Sequence, residues 1–482
     1  MTVNGARHST TRTGPVVITR FDAKLVDRRR AQASRSREWR ADLLVAAFWT
    51  SVSASVGLWI ASGGTRRIPD GGGAVIAAGI VCGLVATDLL LVMLVLAARV
   101  PVIDRTFGQD RAIALHRRLG RPAFTLLVAH AALLVVGYAM VEPASPVTET
   151  VRLATSSPAM TSAFVALLLL AVIVVTSVVL AVRRRFAYEA WHAVHLLSYA
   201  AVLMAVPHQV VTGSVLAFGT VERGYWAALY CVAVGCLVLF RMVLPIVRSV
   251  RHGLRVSWVE PVGPDAVSIH MAGRDLDRLR AVGGQYATWR FWTWRTWWHG
   301  HPISFSAVPT TGAARITVRT LGAGTMRLAR LRPGTPVSVE GPYGVFTDRS
   351  RRTPHLAIVA AGIGITGARS LLEDSSLRPG EATVLLRASD ERQRYLWEEV
   401  IGLIRERSGT LLTMTGHRPK GTATWMSGSA VSSGMSLGRI FPRLLESDLY
   451  VCGAPAWSDL VIAEARGLGV PPDRIHVERF GS

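Results

Sequence analysis

Six stretches of roughly 20 apolar residues each constrain this chain more than any other feature. They lie at about 41–62, 74–98, 119–141, 161–182, 189–210 and 225–247. About 20 consecutive apolar residues is the length at which a helix spans bilayer hydrocarbon, and a helix satisfies its own backbone there. The first half therefore reads as a six-helix transmembrane bundle over 41–250. Composition agrees: 50% of the 482 residues are hydrophobic and 18% charged, against about a quarter charged in soluble domains. Basic residues flanking the spans set the orientation. With the N-terminus inside, the inner segments carry 22 Lys and Arg and the outer loops carry 4, namely Arg66, Arg67, Arg152 and Arg223. Both termini are thus expected in the cytoplasm of a multi-pass plasma-membrane protein. The net charge of +22 then belongs to anionic headgroups, and nucleic acid is not an expected partner. Residues 1–40 have no apolar run before Ala41 and read as a basic cytoplasmic arm lying on the membrane surface, poorly ordered, without a cleavable signal.

Polar residues in a span are costly and tend to be functional. His116 and His130 fall in or at the edge of the third span, and His192, His195 and His208 in the fifth. Both spans run from inside to outside, so 14 residues separate His116 from His130 and 13 separate His195 from His208, each about 20 Å of helix. Two histidine pairs at two matching depths are what two stacked bis-histidine haems require. Helical phase complicates this, because 13 residues miss a common face by about 140°; a kink or overwinding at Pro207 is expected to correct it. His192, one turn before His195, is the competing inner ligand. No C-x-x-C-H occurs, so the haems are expected to be b-type. Cys82, Cys231, Cys236 and Cys452 lack metal-ligand spacing. Asp88 and Arg241 are further charges within spans, facing the bundle interior or making interhelical polar contacts.

After Arg255 the pattern changes. Short alternating segments over about 254–350 predict an antiparallel β-barrel. From 354 to 482, strands alternate with helices, predicting a doubly wound α/β nucleotide-binding domain. Gly362, Gly364 and Gly367 form G-x-G-x-x-G between a strand and a helix, where backbone amides and the helix dipole suit a pyrophosphate. Arg387 closes the second strand where a carboxylate would select NADH; an arginine there suits the 2′-phosphate of NADPH, with NADH the alternative.

The two halves together resemble the ferric reductase and NADPH oxidase superfamily, across roughly residues 70–480. The segment from His301 to Ala307, HPISFSA, is similar to its flavin signature. GGQYATWRFW resembles the preceding strand, ITVRTLGAGT the FAD pyrophosphate segment, VEGPYGVF the barrel-closing turn, AAGIGITGARSLL the nicotinamide-cofactor loop, YVCGAP the strand beside the nicotinamide, and IHVERF the C-terminus bearing the flavin-covering aromatic. The resemblance implies FAD contacts at Tyr286, His301, Pro302, Ile303, Ser304, Val318, Arg319, Gly324, Thr325 and Phe480, with Ser304 catalytic at the flavin N5 edge. It implies NADPH contacts at Gly362, Gly364, Thr366, Gly367, Arg387, Cys452 and Gly453, and haem ligation by His116, His130, His195 and His208. Ile303 and Gly367 depart from the family pattern, and Phe480 is followed by two more residues. The segment from Trp289 to His299 holds five tryptophans, read as a membrane-interface contact or as barrel packing. The activity implied is electron transfer from cytoplasmic NADPH through FAD and two b haems to an outer acceptor, a ferric chelate or molecular oxygen. The alternatives are a quinone or extracytoplasmic protein as acceptor, or a haem-free flavin reductase or sensor.

Overall fold

The structure, a computed structural model, describes residues 23–67, 70–183, 188–211 and 220–480. Its helical half contains α1 (Ala23–Ala61), α2 (Gly71–Ala97), α3 (Pro101–Phe107), α4 (Gln109–Val141), α5 (Pro146–Thr155), α6 (Pro158–Arg183), α7 (Tyr188–Val211), α8 (Val221–Val238) and α9 (Leu244–His252). Among the described residues, six segments are long and apolar enough to cross a membrane: Arg35–Ala61, Gly71–Ala97, Gln109–Val141, Pro158–Ser177, Ala190–Val211 and Val221–His252.

Three differences from the sequence reading have physical causes. The first helix starts at Ala23, so part of the expected surface arm is regular helix. Residues 23–40 contain no Gly or Pro and are rich in Ala, Arg and other good helix formers. The third helix starts at Gln109 and carries His116 well inside it. A π-turn, Leu239–Val243, joins α8 to α9, with Leu244 N–H bonded to Leu239 O. Pro245 cannot donate to the carbonyl of Arg241, so the regular ladder is interrupted there.

Helix α2 lies tightly against α4, and α6 against α7. Small residues permit the first contact: a methyl at Gly137 would sit 2.9 Å from Ile76 N, and one at Gly72 would sit 2.8 Å from Val141. Close backbone approach of this kind is how helices associate where no hydrophobic drive separates them from lipid.

The chain then forms β1 (Arg255–Gly263), β2 (Ala266–Ala272), β3 (Tyr286–Phe291), β4 (His301–Ala307), β5 (Ala313–Arg319), α10 (Ala323–Leu328) and β6 (Val337–Tyr343). These strands make an antiparallel sheet in the order β1-β2-β5-β4-β3-β6. Val337 N–H to Leu254 O and Val256 N–H to Thr335 O bring the last strand back to the first. Alternate residues point inward, giving a core of Ile269, Trp289, Phe291, Phe305 and Ile316.

The remainder is β7 (His355–Ala361), α11 (Ile365–Asp374), β8 (Ala382–Ala388), α12 (Trp397–Glu406), β9 (Thr410–Thr415), α13 (Gly428–Ser432), α14 (Leu437–Ile440), β10 (Ser447–Gly453), α15 (Pro455–Gly467) and β11 (Ile475–Arg479). The sheet is parallel, in the order β11-β10-β7-β8-β9. Its chain order reverses between β7 and β10, the switch point at which open α/β sheets bind ligands.

Polar ties join the three bodies. Glu399 on α12 accepts two bonds from Arg315 on β5, at 2.9 and 2.7 Å, and one from Arg369 on α11 at 2.7 Å. On the membrane side, Glu340 on β6 accepts from Arg241 at 2.8 Å and from Arg99 at 3.2 Å. Arg99 also donates to Thr288 Oγ1 at 2.8 Å, and Arg248 donates to Gly341 O. Arg241 thus faces the barrel, and its bonded partner among the described residues is Glu340. Asp88 is buried and accepts from Ser51 on α1 at 2.5 Å, an interhelical bond.

Candidate functional site

The nucleotide end is assembled at the switch point. Gly362 follows β7 with φ +55°, the left-handed region that glycine favours. A side chain at Gly364 would put its Cβ 2.5 Å from Cys452 O, so only glycine lets this turn press against the end of β10. Gly453 O accepts from Phe480 N–H at 3.0 Å, and a methyl at Gly367 would lie 3.6 Å from the Phe480 ring. Gly364, Gly367, Cys452, Gly453 and Phe480 are therefore one cluster. Thr366 is buried, and its hydroxyl bonds Ile363 O within the turn. Cys452 is fully buried, which raises its thiol well above the ordinary value and keeps it neutral.

Arg387 behaves differently from the sequence expectation. It is buried, and it donates to Gly416 O at 3.2 Å and Ser389 Oγ at 3.4 Å. The neighbouring guanidinium that stays exposed is Arg418, two residues beyond Gly416. Sequence reading missed Arg418 because it follows β9, not β8.

The flavin end lies on β3 and β4. Tyr286 and Ser304 face each other in strand register, as do Trp289 and His301. Ser304 and His301 are buried, whereas Pro302 is exposed and Ile303 is half-buried. His301 Nε2 and Ser306 Oγ are buried without a hydrogen-bond partner among the described residues. Burial, reinforced by His299, lowers His301 to about 4, so the ring is neutral near pH 7. A methyl on Gly324 would lie 3.6 Å from His301, which brings the first turn of α10 to the same place. There Thr325 Oγ1 accepts from Gly322 N–H at 3.2 Å. Two expected FAD contacts point elsewhere: the Val318 side chain is in the barrel core, and Arg319 Nε donates to Asp265 Oδ2 at 2.7 Å.

A cluster the sequence did not announce lies between this end and the helices. Glu478, two residues before Phe480, is pushed up to about 8 by burial and by the charges of Asp110 and Asp104. Asp104 on α3 is pushed up to about 6, chiefly by burial. IHVERF drew attention to its aromatic, and the carboxylate partners were 370 residues away.

Between the helices, the four histidines fall into two groups. The His116 and His195 rings have centroids 6.2 Å apart, and Trp191 stacks on His195 at 5.1 Å. His192, one turn before His195 on α7, is exposed. His130 and His208 both line one apolar cavity of about 480 Å³, walled by residues including Ile80, Gly83, Leu127, Phe164, Ala201 and Trp226. The α4 histidines are held from α2: His116 Nδ1 lies 3.1 Å from Met93 O and His130 Nδ1 lies 2.8 Å from Gly79 O. A carbonyl can only accept, so Nδ1 carries the proton and Nε2 keeps its lone pair. The α7 histidines have buried Nδ1 atoms with no hydrogen-bond partner among the described residues. Helix α7 contains Pro207 and is a single helix from Tyr188 to Val211.

The family model for the ferric reductase like transmembrane component matches residues 82–206, a segment that carries His116, His130 and His195 and ends two residues before His208. Ferredoxin–NADP reductase B of Sorangium cellulosum is 34% identical over 170 residues, covering 33% of this chain and 68% of that protein. The chain belongs to the ferric reductase and NADPH oxidase superfamily. In keeping with that superfamily, the ferredoxin reductase component of the Rhodococcus rhodochrous 3-ketosteroid-9-alpha-monooxygenase is 28% identical over 246 residues, 48% of this chain and 68% of that protein. The flavohem-like FAD/NAD binding domain of nitric oxide dioxygenase from Vibrio cholerae O1 biovar El Tor superposes with a TM-score of 0.39 at 19% identity, covering 48% of this chain and all of that one. As a member of the superfamily the chain is a multi-pass membrane protein and an NAD(P)H-dependent oxidoreductase, binding FAD and NAD(P)H in its C-terminal half.

Proposed function

We propose that the chain carries electrons from cytoplasmic NADPH to an acceptor on the outer face of the plasma membrane, a ferric chelate or molecular oxygen, using FAD and two b-type haems. The observation that carries this reading is the pairing of α4 with α7 histidines at two depths. An imidazole nitrogen sits about 2 Å from a bound transition metal, so two rings that hold one metal ion between them would have centres roughly 6 Å apart. The inner pair has 6.2 Å. The outer pair opens onto a cavity lined mostly by apolar side chains, with Thr87, Ser156, Gln209 and Tyr230 among its polar residues, a lining that suits a largely apolar macrocycle with polar edges. Free Nε2 atoms on His116 and His130, with Nδ1 bonded to carbonyls, are the metal-ligand tautomer and its usual orienting partner. His116 and His195 would hold the inner haem, His130 and His208 the outer one.

A bound flavin would supply the conversion of a two-electron donor to one-electron chemistry, and haems held by His116/His195 and His130/His208 would supply one-electron carriers within the hydrocarbon. The chain's own residues do the rest. Gly362, Gly364 and Gly367 bring backbone close to the dinucleotide, and Cys452, Gly453 and Phe480 enclose its nicotinamide end. Ser304 and Tyr286 sit at the flavin's reactive edge, with neutral His301 beside them and Gly324 and Thr325 in the adjoining turn. Pro302, Ile303 and Thr366 shape the walls. The exposed Arg418, supported by buried Arg387, supplies the cation for a 2′-phosphate. Glu340, bound by Arg99 and Arg241, sets the barrel against the inner ends of α2 and α9. The excess of basic residues on the inner segments supports a cytoplasmic module, and a negative-inside potential favours outward electron flow by about 2.3 kcal/mol per 100 mV.

The test is anaerobic titration of the purified protein with NADPH, followed by addition of a ferric chelate or oxygen. The reading expects haem bands that reduce with NADPH and reoxidise with acceptor. Complete flavin reduction with no haem absorbance in a fully flavin-loaded sample would refute it.

A further inference from the structure

The tryptophan-rich loop between β3 and β4 is used by none of the chemistry above. Trp289 is in the barrel core, but Trp292, Trp294, Trp297 and Trp298 are 50, 77, 52 and 48% exposed. The loop is well built. Thr296 is buried and ties it from within, donating to Phe291 O at 2.7 Å and sharing a 2.7 Å bond with Thr293. Trp292 Nε1 donates to Ser338 Oγ at 2.5 Å. A braced turn that directs four indoles outward is a presented surface, since scattered single apolar residues need no such bracing.

Its level relative to the bilayer follows from the strand that carries it. On the last span Met242, Val243, Ile246, Val247 and Val250 are exposed in one stripe, at helical spacing, facing lipid. That stripe stops at Val250. The helix ends at His252, about 3 Å of rise past Val250, and Leu254 follows the left-handed cap Gly253; the Leu254 carbonyl accepts from Val337 N–H at 2.8 Å. Trp292 N–H bonds Pro336 O at 3.0 Å, one residue away on the same strand. The loop therefore leaves the barrel about one headgroup layer below the end of the lipid-facing stripe, the layer being roughly 5–8 Å thick in each leaflet. It is also continuous with the face that Arg99 and Arg241 clamp, because Thr288, Arg290 and Trp292 alternate along one side of β3.

The charge fits the same partner. Residues 289–300 contain two arginines and no acid; Arg295 lies 4.3 Å over the Trp294 ring, and Arg327 donates to Arg295 O at 3.3 Å. Indoles sit at the headgroup level, and arginines beside them attract anionic lipid. We propose that this loop is a second membrane contact, inserting Trp294, Trp297 and Trp298 into the leaflet on the module's side and seating the flavin barrel on it.

The test uses the full-length protein in nanodiscs containing anionic lipid. The emission difference between wild type and the Trp294→Gln, Trp297→Gln, Trp298→Gln triple variant isolates the three indoles. Tail-brominated lipid should lower that difference about twofold or more, and aqueous acrylamide should affect it little. Quenching by acrylamide alone would overturn the proposal, since the loop would then face water. Protection from both quenchers, with a change in oligomeric mass in the triple variant, would also overturn it in favour of a second copy of the chain. Single Trp297→Phe and Trp298→Phe variants give the same readout should the triple variant lose FAD. The measurement needs no electron acceptor, so its failure is distinct from failure of the proposed activity.

Discussion

Gly83 offers the sharpest test of the outer histidine site. It stands one helical turn after Gly79 on α2, and together they cradle His130: Gly79 O accepts from Nδ1, and Gly83 faces the ring. A methyl at Gly83 would sit 2.5 Å from His130 Nδ1 and 2.8 Å from Cε1, where ordinary contact begins at 3.4 Å. The ring must therefore retreat by roughly 0.9 Å, while metal–nitrogen bonds tolerate about 0.2 Å. That retreat also breaks the 2.8 Å bond that orients the ring, and losing an orienting partner typically costs 10- to 100-fold in metal affinity, about 1.4–2.7 kcal/mol. Gly83→Ala should therefore lose the outer haem, lowering haem per chain from two towards one at unchanged FAD content. Gly57→Ala is the control, because nothing lies within 4 Å of its new methyl. Pyridine haemochrome assay against flavin absorbance reads the ratio. Two haems of unaltered potential in Gly83→Ala would refute the assignment of His130.

Other outcomes follow from the ties between bodies. Glu340→Gln removes the shared partner of Arg99 and Arg241; stopped-flow should show normal flavin reduction by NADPH and haem reduction slowed about 10-fold, as loss of a part-buried charged bond worth about 1.5 kcal/mol implies. Arg418→Ala should raise KM for NADPH about 10-fold or more and leave NADH unchanged, whereas equal effects on both nucleotides would remove its proposed role. Glu478 and Asp104 are raised to about 8 and about 6. A carboxyl raised on docking favours the docked form at low pH, and that contribution is lost as pH rises from the ordinary carboxyl range through these values. Protection from hydrogen exchange at 101–110, taken relative to the intrinsic rate at each pH, should accordingly fall between about pH 4 and pH 8, and Glu478→Gln should flatten the fall above pH 6.

The spans were legible because bilayer thickness imposes a length and a composition on any helix that crosses it. The histidine pairs were legible from spacing alone, but their helical phase was not. A 13-residue interval on an ideal helix misplaces His208, yet it lines a cavity with His130, because that cavity is walled by α2, α4, α6, α7 and α8 together and is wide enough for residues on different faces of a helix to reach it. Trp289 and the tryptophans after it were read as one unit. The alternation of Trp289 with Phe291 on β3 already separates a core residue from those beyond the strand end. Arg387 looked like a ligand because its strand position matched, although burial beneath Gly416 decides what its guanidinium touches. The partners of Arg241 and Glu478 lie 99 and about 370 residues away, and no local pattern records pairings at that separation.

The most direct test of the central claim is haem stoichiometry and axial ligation in the purified, flavin-saturated protein. The account predicts two b-type haems per chain, both low-spin with bis-imidazole signatures in paramagnetic resonance, and loss of one signature each in His116→Ala and His130→Ala. One haem or none at full FAD occupancy, or two signatures surviving both substitutions, would contradict it.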